Sequence, residues 1–395
     1  MAIPIVSVVG GGQLARMMAP PASALGVSLR ALVEDENSSA AQVIVDTEVG
    51  QADDADAIRA LVADAHVLTF EHEHVPNQLL HELIDAGVSV QPGPHALLQA
   101  QDKIIMRQRL SEMGVPCPAW RMLSRNTAQA CDELSSFIAE HGPDVVVKTS
   151  RGGYDGKGVR IVSSADEVVD WFAAVEGGGP SLLVEEKVPF TRELAVLVAR
   201  RPSGEAVTWP VVESIQRDGV CSEVIAPAPR LTDEEARNAR DIALRIAHGL
   251  DVTGVLAVEM FETLDASGAP QVLVNELAMR PHNSGHWTID GAVTSQFEQH
   301  VRAVLDMPLG STEPTARWTV MANVLGSSLD SLTDALPAVM AAFPEAKVNI
   351  YGKQTRPGRK LGHVNVSGDD VEQVLDRATR AAALLRGETE GTENV

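Results

Sequence analysis

Apolar residues fall in two rhythms along the first hundred positions: short unbroken runs, and stretches with helical spacing between them. Ile3–Val9 is a continuous apolar run, followed by glycines and a helix-like stretch from Gln13 to about Leu25. Ser28–Val33 repeats the run and ends in Glu34 and Asp35, and His66–Phe70 repeats it again. Helices are expected from Asp53, as cap, through Val62, and over Pro76–Ala86. Unbroken apolar strands alternating with helices predict a doubly wound parallel α/β domain over residues 1–100.

From residue 101 the rhythm changes. Gln101–Met113 has helical spacing and stops at Gly114, ahead of Pro116 and Pro118. Strands are expected at Ala119–Leu123, Val145–Lys148, Val159–Val162, Ser181–Glu185, Glu193–Ala199 and Ala206–Val212, with helices at Ala128–Glu140 and Ala165–Val175. Asp233–His248 is a long helix with Thr232 as its cap, and Gly254–Phe261 pairs with Gln271–Leu277 across a short turn. Mostly antiparallel sheet with flanking helices is α+β, so residues 101–308 are expected to form a second domain. After Pro308 and Pro314 a smaller unit, 309–395, has strands at Trp318–Leu325, Lys347–Tyr351 and Gly362–Val366 and helices at Leu332–Ala342 and Asp370–Leu385. The tail from Arg386 is polar and expected to be irregular.

A chain of 395 residues is too long for one typical core, and 45% hydrophobic with 22% charged residues is ordinary for a globular enzyme. A formal net charge of −22 argues against nucleic-acid binding and makes any local basic cluster conspicuous. Cys117, Cys131 and Cys221, without CxxC spacing, read as thiols of a reducing cytoplasm rather than a disulfide or zinc site. Met1–Gly10 has no basic leader character, and no apolar run approaches the ~20 residues of a spanning helix. A cytoplasmic protein without a membrane segment is expected.

Gly10-Gly11-Gly12-Gln13-Leu14-Ala15 follows the first strand and opens the first helix, where free N–H groups and the helix dipole favour an anion. Gly10, Gly12 and Ala15 fit G-x-G-x-x-A, with Glu34 placed as a dinucleotide site requires. A dinucleotide site, a site for another phosphorylated ligand and a merely tight turn stand level on this motif alone. Phe70-Glu71-His72-Glu73-His74 would set the two histidines on one strand face and the two glutamates on the other. No third metal ligand lies nearby, so the glutamate face is expected over the carboxyl edge of the sheet, where such domains bind ligands.

Val146–Val159 is a strand, a glycine-rich basic loop and another strand. Lys148 at the strand end can meet a phosphate, and Gly152, Gly153, Gly156 and Gly158 can lie over a triphosphate that Arg151 and Lys157 neutralise. No G-K-[ST] leads into a helix, so this is not a Walker A loop. Val184–Val188 ends the next long strand and could bond an adenine edge through its backbone, although many exposed strand ends look the same. Glu259 is a carboxylate inside an apolar strand. With Glu276 on the adjoining strand it could hold Mg²⁺; the alternative is a structural salt-bridged pair. Asn275 through His286 sets hard oxygen ligands beside Arg280, His282, Asn283, Ser284 and His286, a mixture suited to a metal-bound phosphate and a second anion. Tyr351–His363 carries Lys353, Arg356, Arg359 and Lys360 and no acid, and reads as a clamp for a phosphate or carboxylate.

Lys148, the glycine loop, Glu185–Val188 and the Glu259/Glu276 pair occur in an order that resembles the ATP-grasp family. Gly-Gly-Tyr-Asp-Gly-Lys-Gly, Asn-Glu-x-Ala-x-Arg-Pro-His-Asn-Ser-Gly-His and Tyr-Gly-Lys…Arg-Pro-Gly-Arg-Lys-x-Gly-His narrow the resemblance to the N5-carboxyaminoimidazole ribonucleotide synthase family of purine biosynthesis, over nearly the whole chain from Gly10 to His363. The resemblance implies an N-terminal doubly wound domain, a two-part ATP-grasp domain and a small C-terminal domain. It implies use of ATP, bicarbonate and Mg²⁺ to carboxylate the amino group of 5-aminoimidazole ribonucleotide through carboxyphosphate, by a homodimer.

By position, it implies Lys103 and Lys148 on the ATP phosphates and Gly153, Tyr154, Asp155, Gly156, Lys157, Gly158 and Val159 as a lid. Glu185, Glu186, Lys187 and Val188 would hold adenine and Glu193 the ribose, with Gln216, Asn275 and Glu276 also at the nucleotide. Glu259 and Glu276 would ligate Mg²⁺. Likeness to a related formate-using transformylase puts Gln13, Leu14 and Glu73 on the ribonucleotide and Lys353, Arg359 and Lys360 on its phosphate, with Asn283 and Ser284 at the same substrate. Asp155 would position the amine, and Arg280, His282 or Lys353 the carboxylate. Gln216 stands where this family usually has His, Met279 where it has Pro, and Ala278 where many ATP-grasp enzymes carry a metal-binding Asn. The formate-using transformylase, an NAD-dependent dehydrogenase and a non-catalytic nucleotide-binding regulator are the competing readings.

Overall fold

The computed structural model describes residues 3–153 and 158–388; Tyr154, Asp155, Gly156 and Lys157 of the expected lid lie outside the described residues. Strands β1 (Ile5–Val9), β2 (Ser28–Val33), β3 (Asp46–Val49) and β4 (Val67–Phe70) form a parallel sheet in the order β3-β2-β1-β4. Val6 and Val8 enter one core with Leu14 and Met18 of α1 (Gln13–Ala24). Leu32, Leu68 and Phe70 enter another with α2 (Ala55–Leu61) and α3 (Asn77–Asp85). Both faces are covered, as unbroken apolar runs demand. The cap of α2 is Asp54 rather than Asp53: its carboxylate accepts from the amides of Asp56 at 3.1 Å and Ala57 at 3.0 Å. The polar edge strand β3 and α4 (Pro94–Gln101) were not expected. Proline opens α4, where its missing N–H costs nothing. Asp102 then caps α5 (Lys103–Glu112), so the stretch expected as one helix from Gln101 starts two residues later.

A small antiparallel sheet follows, β5 (Trp120–Met122), β6 (Val145–Thr149), β7 (Val159–Val162) and β8 (Leu182–Glu186), in the order β5-β8-β6-β7. Val145, Val147, Leu182 and Val184 pack on α6 (Thr127–His141) and α7 (Val169–Glu176). Strand alternation therefore puts Lys148 and Glu185 on the opposite face.

The third sheet has nine strands: β9 (Arg192–Arg200), β10 (Ala206–Thr208), β11 (Val212–Arg217), β12 (Val220–Ala226), β13 (Gly254–Leu264), β14 (Pro270–Ala278), β15 (Trp318–Leu325), β16 (Lys347–Ile350) and β17 (Lys360–Gly368). Its order is β14-β13-β9-β11-β12-β15-β17-β16, with β10 beside β9, and all its pairs are antiparallel. The strand expected over Ala206–Val212 is broken around Pro210, which has no N–H to give a ladder. The β11–β12 hairpin turns on Asp218 and Gly219, both with positive φ, an Asp-Gly signal that the sequence reading passed over. Because β12 pairs with β15, the sheet runs without interruption across residue 308.

Helix α8 (Asp233–Gly249) packs on β9, with the expected Thr232 cap in a capping box. After α9 (Thr288–Gly291), α10 (Gln296–Val304) joins the N-terminal domain to the large sheet. The Val255 amide donates to His300 Nδ1 at 3.1 Å, so Nε2 carries the proton and donates to Thr69 Oγ1 at 2.8 Å. Burial pushes His300 down to about 3, which keeps this link neutral. Helices α11 (Leu336–Ala342) and α12 (Val371–Leu385) cover the far end of the sheet. No described helix is long and apolar enough to cross a membrane, and the three cysteines are free thiols.

Candidate active site

One wall of the cleft is built by strand register. On β13 Glu259 stands directly opposite Glu276 of β14, and Phe261 opposite Glu193 of β9. Burial together with Glu276 and Glu193 pushes Glu259 up to about 8, and burial raises Glu193 to about 6. The carboxylates repel one another more than the cations near them offset, a balance that a divalent cation would correct. Mg²⁺ needs few protein oxygens because it keeps water and phosphate ligands. The donor set fits it, and among the described residues no cluster of three or more His, Cys, Asp or Glu forms a closed metal cage. Gln216 donates to Ser214 at 3.0 Å, and Ser214 faces Glu193, so Gln216 borders the same corner.

The cations come from elsewhere. Lys103, the first residue of α5, pairs with Glu276 at 3.2 Å and reaches the Gly153 carbonyl at 3.5 Å. Lys148 pairs with Glu185 at 2.7 Å and donates to Asn275 Oδ1 at 3.4 Å. Glu185 is buried, and although burial alone would raise it, Arg107 and Lys148 hold it down at about 2. Its carboxylate is thereby committed to the protein, which leaves backbone groups of the Glu185–Val188 segment to meet a base. Glu186 accepts from the Ala119 amide at 2.9 Å, Lys187 pairs outward with Asp144 at 2.9 Å, and Val188 is buried. Of the lid, Gly153, Gly158 (φ 70) and Val159 are described, and a side chain at Gly158 would press on Thr149 Oγ1.

The opposite wall is the loop after β14. The Ser284 amide donates to His282 Nδ1 at 3.3 Å, and Ser284 Oγ lies 2.9 Å from the same atom. The ring proton therefore sits on Nε2, which faces Glu259 Oε1 at 3.7 Å. Burial, with Arg280 and Lys360 nearby, pushes His282 down to about 3, so it serves as a neutral N–H donor. Arg280 Nε is 2.8 Å from Glu73, which ties the loop to the N-terminal domain. Asn283 and Ser284 form a short turn behind His282. Gln296 clamps this turn, accepting from the His282 amide at 2.9 Å and donating to its carbonyl at 2.8 Å.

Beyond Glu73, the Gly10–Gly12 turn holds a guest from its own chain. The amides of Gly12 and Ala15 donate to the Glu71 carboxylate, the latter at 3.0 Å, and side chains at Gly10 or Gly12 would overlap it. Glu71 and Glu73 thus part company, one to α1 and one to Arg280, while His72 and His74 lie with ring centres 4.9 Å apart. Lys353 donates to Gln13, with Leu14 buried behind it. Gln42 donates to the Gly352 carbonyl at 2.7 Å, and Arg359 to the Gln354 carbonyl at 3.1 Å. Lys360 opens β17 close enough to His282 to add to the depression that burial causes.

Among the described residues, the structure gathers the carried-over positions into two groups, bridged by the loop that carries Arg280 and His282. Sequence reading missed Arg107 and Gln296. Arg107 lies four residues after Lys103, on the same helical face, which was its only signal; Gln296 follows the Ser295 cap of α10 and carries no local sign of its partners.

Comparison with known proteins gives the same domain order. Residues 3–101 match the ribonucleotide synthetase preATP-grasp domain, 108–297 the ATP-grasp domain, and 319–377 the phosphoribosylaminoimidazole carboxylase C-terminal domain. An N5-carboxyaminoimidazole ribonucleotide synthase of Mycobacterium tuberculosis (strain H37Rv) is 51% identical over 97% of this chain and 88% of its own length. One from Corynebacterium ammoniagenes is 48% identical over 97% and 92%. The Aspergillus clavatus N5-carboxyaminoimidazole synthase in complex with ADP and 5-aminoimidazole ribonucleotide superposes with a TM-score of 0.85 at 29% identity, over 97% of this chain and 98% of that one. An ADP complex of an N5-carboxyaminoimidazole ribonucleotide synthetase gives 0.85 at 34%, over 96% and 97%. With that identity along almost its whole length and those three domains in that order, the chain belongs to the N5-carboxyaminoimidazole ribonucleotide synthase family of ATP-grasp enzymes.

Proposed function

We propose that this cleft uses ATP and bicarbonate to carboxylate the amino group of 5-aminoimidazole ribonucleotide, releasing ADP and phosphate. The observation that carries the reading is the bridge: His282 faces Glu259 on the nucleotide wall, while Arg280 of the same loop reaches Glu73 on the N-terminal domain. A phosphorylated carboxyl group formed at the first wall is within reach of a second substrate at the other.

Lys103 and Lys148 are placed for the ATP phosphates, and Glu259 with Glu276 for Mg²⁺. When bound, Mg²⁺ would offset charge on the β- and γ-phosphates. A bicarbonate oxygen attacks the γ-phosphorus and ADP leaves, giving carboxyphosphate. The His282 N–H and the Arg280 guanidinium hold the carboxyl oxygens. The amine then attacks the carboxyl carbon, phosphate departs and the amine loses a proton. Carboxyphosphate is quickly lost to water, which gives a lid over 153–159 its purpose. Gln13, Leu14, Glu73, Asn283 and Ser284 line the ribonucleotide side, with Lys353, Arg359 and Lys360 toward its phosphate; Asp155, assigned to the amine, lies outside the described residues. The family reading also carries a homodimer in the cytoplasm, and sedimentation at twice the chain mass tests the first part.

Release of ADP only when 5-aminoimidazole ribonucleotide and bicarbonate are both present is the expected result. Turnover driven by formate and glycinamide ribonucleotide would overturn it.

A further inference from the structure

Lys148 and Glu185 belong to a closed ring with Arg107 and Asn275. Arg107 is 0% exposed. Its Nε donates to Glu185 Oε1 at 2.7 Å, and its two terminal nitrogens donate to the carbonyls of Val274 at 2.9 Å and Asn275 at 2.8 Å. The other Glu185 oxygen meets Lys148 at 2.7 Å, and Lys148 returns to the Asn275 side chain at 3.4 Å. The ring joins α5 and β14 of the body to β6 and β8 of the small sheet.

We infer that Arg107 is a positioning residue that keeps Glu185 compensated, so that Lys148 can leave Glu185 for the phosphates of the nucleotide. This rests on the reading of Lys148 as a phosphate ligand. A triphosphate draws Lys148 away from the buried carboxylate, since a single positive charge then has two anions to serve. Were it the sole partner, its departure would strand a buried charge, a loss large enough to hold it back. Arg107 removes that conflict. Its own nitrogens are engaged with Glu185 and two carbonyls, and it is sealed from the cleft, so it does not compete for the nucleotide. The guanidinium fork fits one carboxylate and two successive carbonyls at once, which an ammonium cannot do. The same bonds fix the residues just before Glu276.

The test is the Michaelis constant for ATP in ADP release, with melting temperature measured beside it. Arg107→Met is expected to raise KM for ATP about tenfold or more, because Lys148 must then stay on Glu185. The double variant Arg107→Met/Glu185→Gln is expected to bring KM back toward wild type while its melting temperature stays low, since Lys148 is freed. Arg107→Lys keeps the charge but loses carbonyl bonds, so its melting temperature falls while KM stays nearer wild type than that of Arg107→Met. A double variant with KM no better than Arg107→Met, or equal KM in the Lys and Met variants, overturns the inference and leaves a merely structural arginine. A Lys148→Ala variant with unchanged ATP affinity instead overturns the nucleotide reading on which it rests.

Discussion

At Gly10–Gly12 the backbone closes on a carboxylate of its own chain, and the amides that could greet a phosphate are spent on Glu71. At Gly152–Gly158 the neighbours are cationic: Lys103 donates to the Gly153 carbonyl, and Lys148 is next to last in the strand leading in. Both segments are glycine-rich in sequence and follow a strand, and the second is the one that the proposed function lays over a phosphate. Glycine reports only that something comes close to the backbone. What comes is decided by side chains from distant segments: an acid in the first case, and in the second lysines that the proposed function puts on phosphates.

This contrast breaks most visibly at Glu276. Glu276→Gln should lower kcat at least about 100-fold with an unchanged melting temperature, on the scale of losing one transition-state contact; near-wild-type ADP release would remove the cation corner from the nucleotide wall. Gly12→Ala should destabilise the fold by about 2 kcal/mol through overpacking against Glu71 and leave KM for ATP unchanged. A raised KM for ATP without a stability loss would make the two turns alike after all. Glu71→Gln should cost about 1 kcal/mol of stability, because the carboxamide NH₂ cannot accept from one of the two amides that the carboxylate serves, read from urea unfolding.

The smallest effects lie in pH dependence, where Glu185 and Glu71 have opposite signs. Glu185 is depressed from 4.5 to about 2 when folded, so its contribution is complete above about 4.5 and is lost as pH falls toward 2. Burial raises Glu71 above 4.5 despite its two amide donors, so its contribution declines as pH rises from 4.5 through its folded value. Denaturation midpoints should therefore fall as pH rises above 4.5 with Glu71 intact and flatten over that range in Glu71→Gln, while the loss below 4.5 is the same in both. Identical profiles for the two proteins would sink the assignment.

Much of this was legible in the sequence because the responsible signals are local. Apolar runs and caps gave the parallel sheet, the long α8 and the β13–β14 pair, whose cross-strand register then set Glu259 against Glu276. The dinucleotide-like fingerprint could not be resolved, because its occupant lies 59 residues away from Gly12. Arg107 was nearly silent for a similar reason: its partners are 78 and more residues distant, and beside Arg109 in a polar helix it reads as solvent-facing. Glu185 was read as an adenine contact, yet its side chain is spoken for by two cations that no local pattern reveals.

The unbroken nine-stranded sheet also governs when this enzyme can come into being. The nucleotide wall on β13 and β14 shares its ladder with β15 and β17, and Lys353 meets Gln13 across 340 residues of chain. A ribosome that has delivered everything through Val304 has made both walls yet left β12 as a bare edge, open to pairing with another nascent chain. The cleft is finished only as the last strand emerges, so shortened translation products should be prone to aggregate rather than to work at reduced rate.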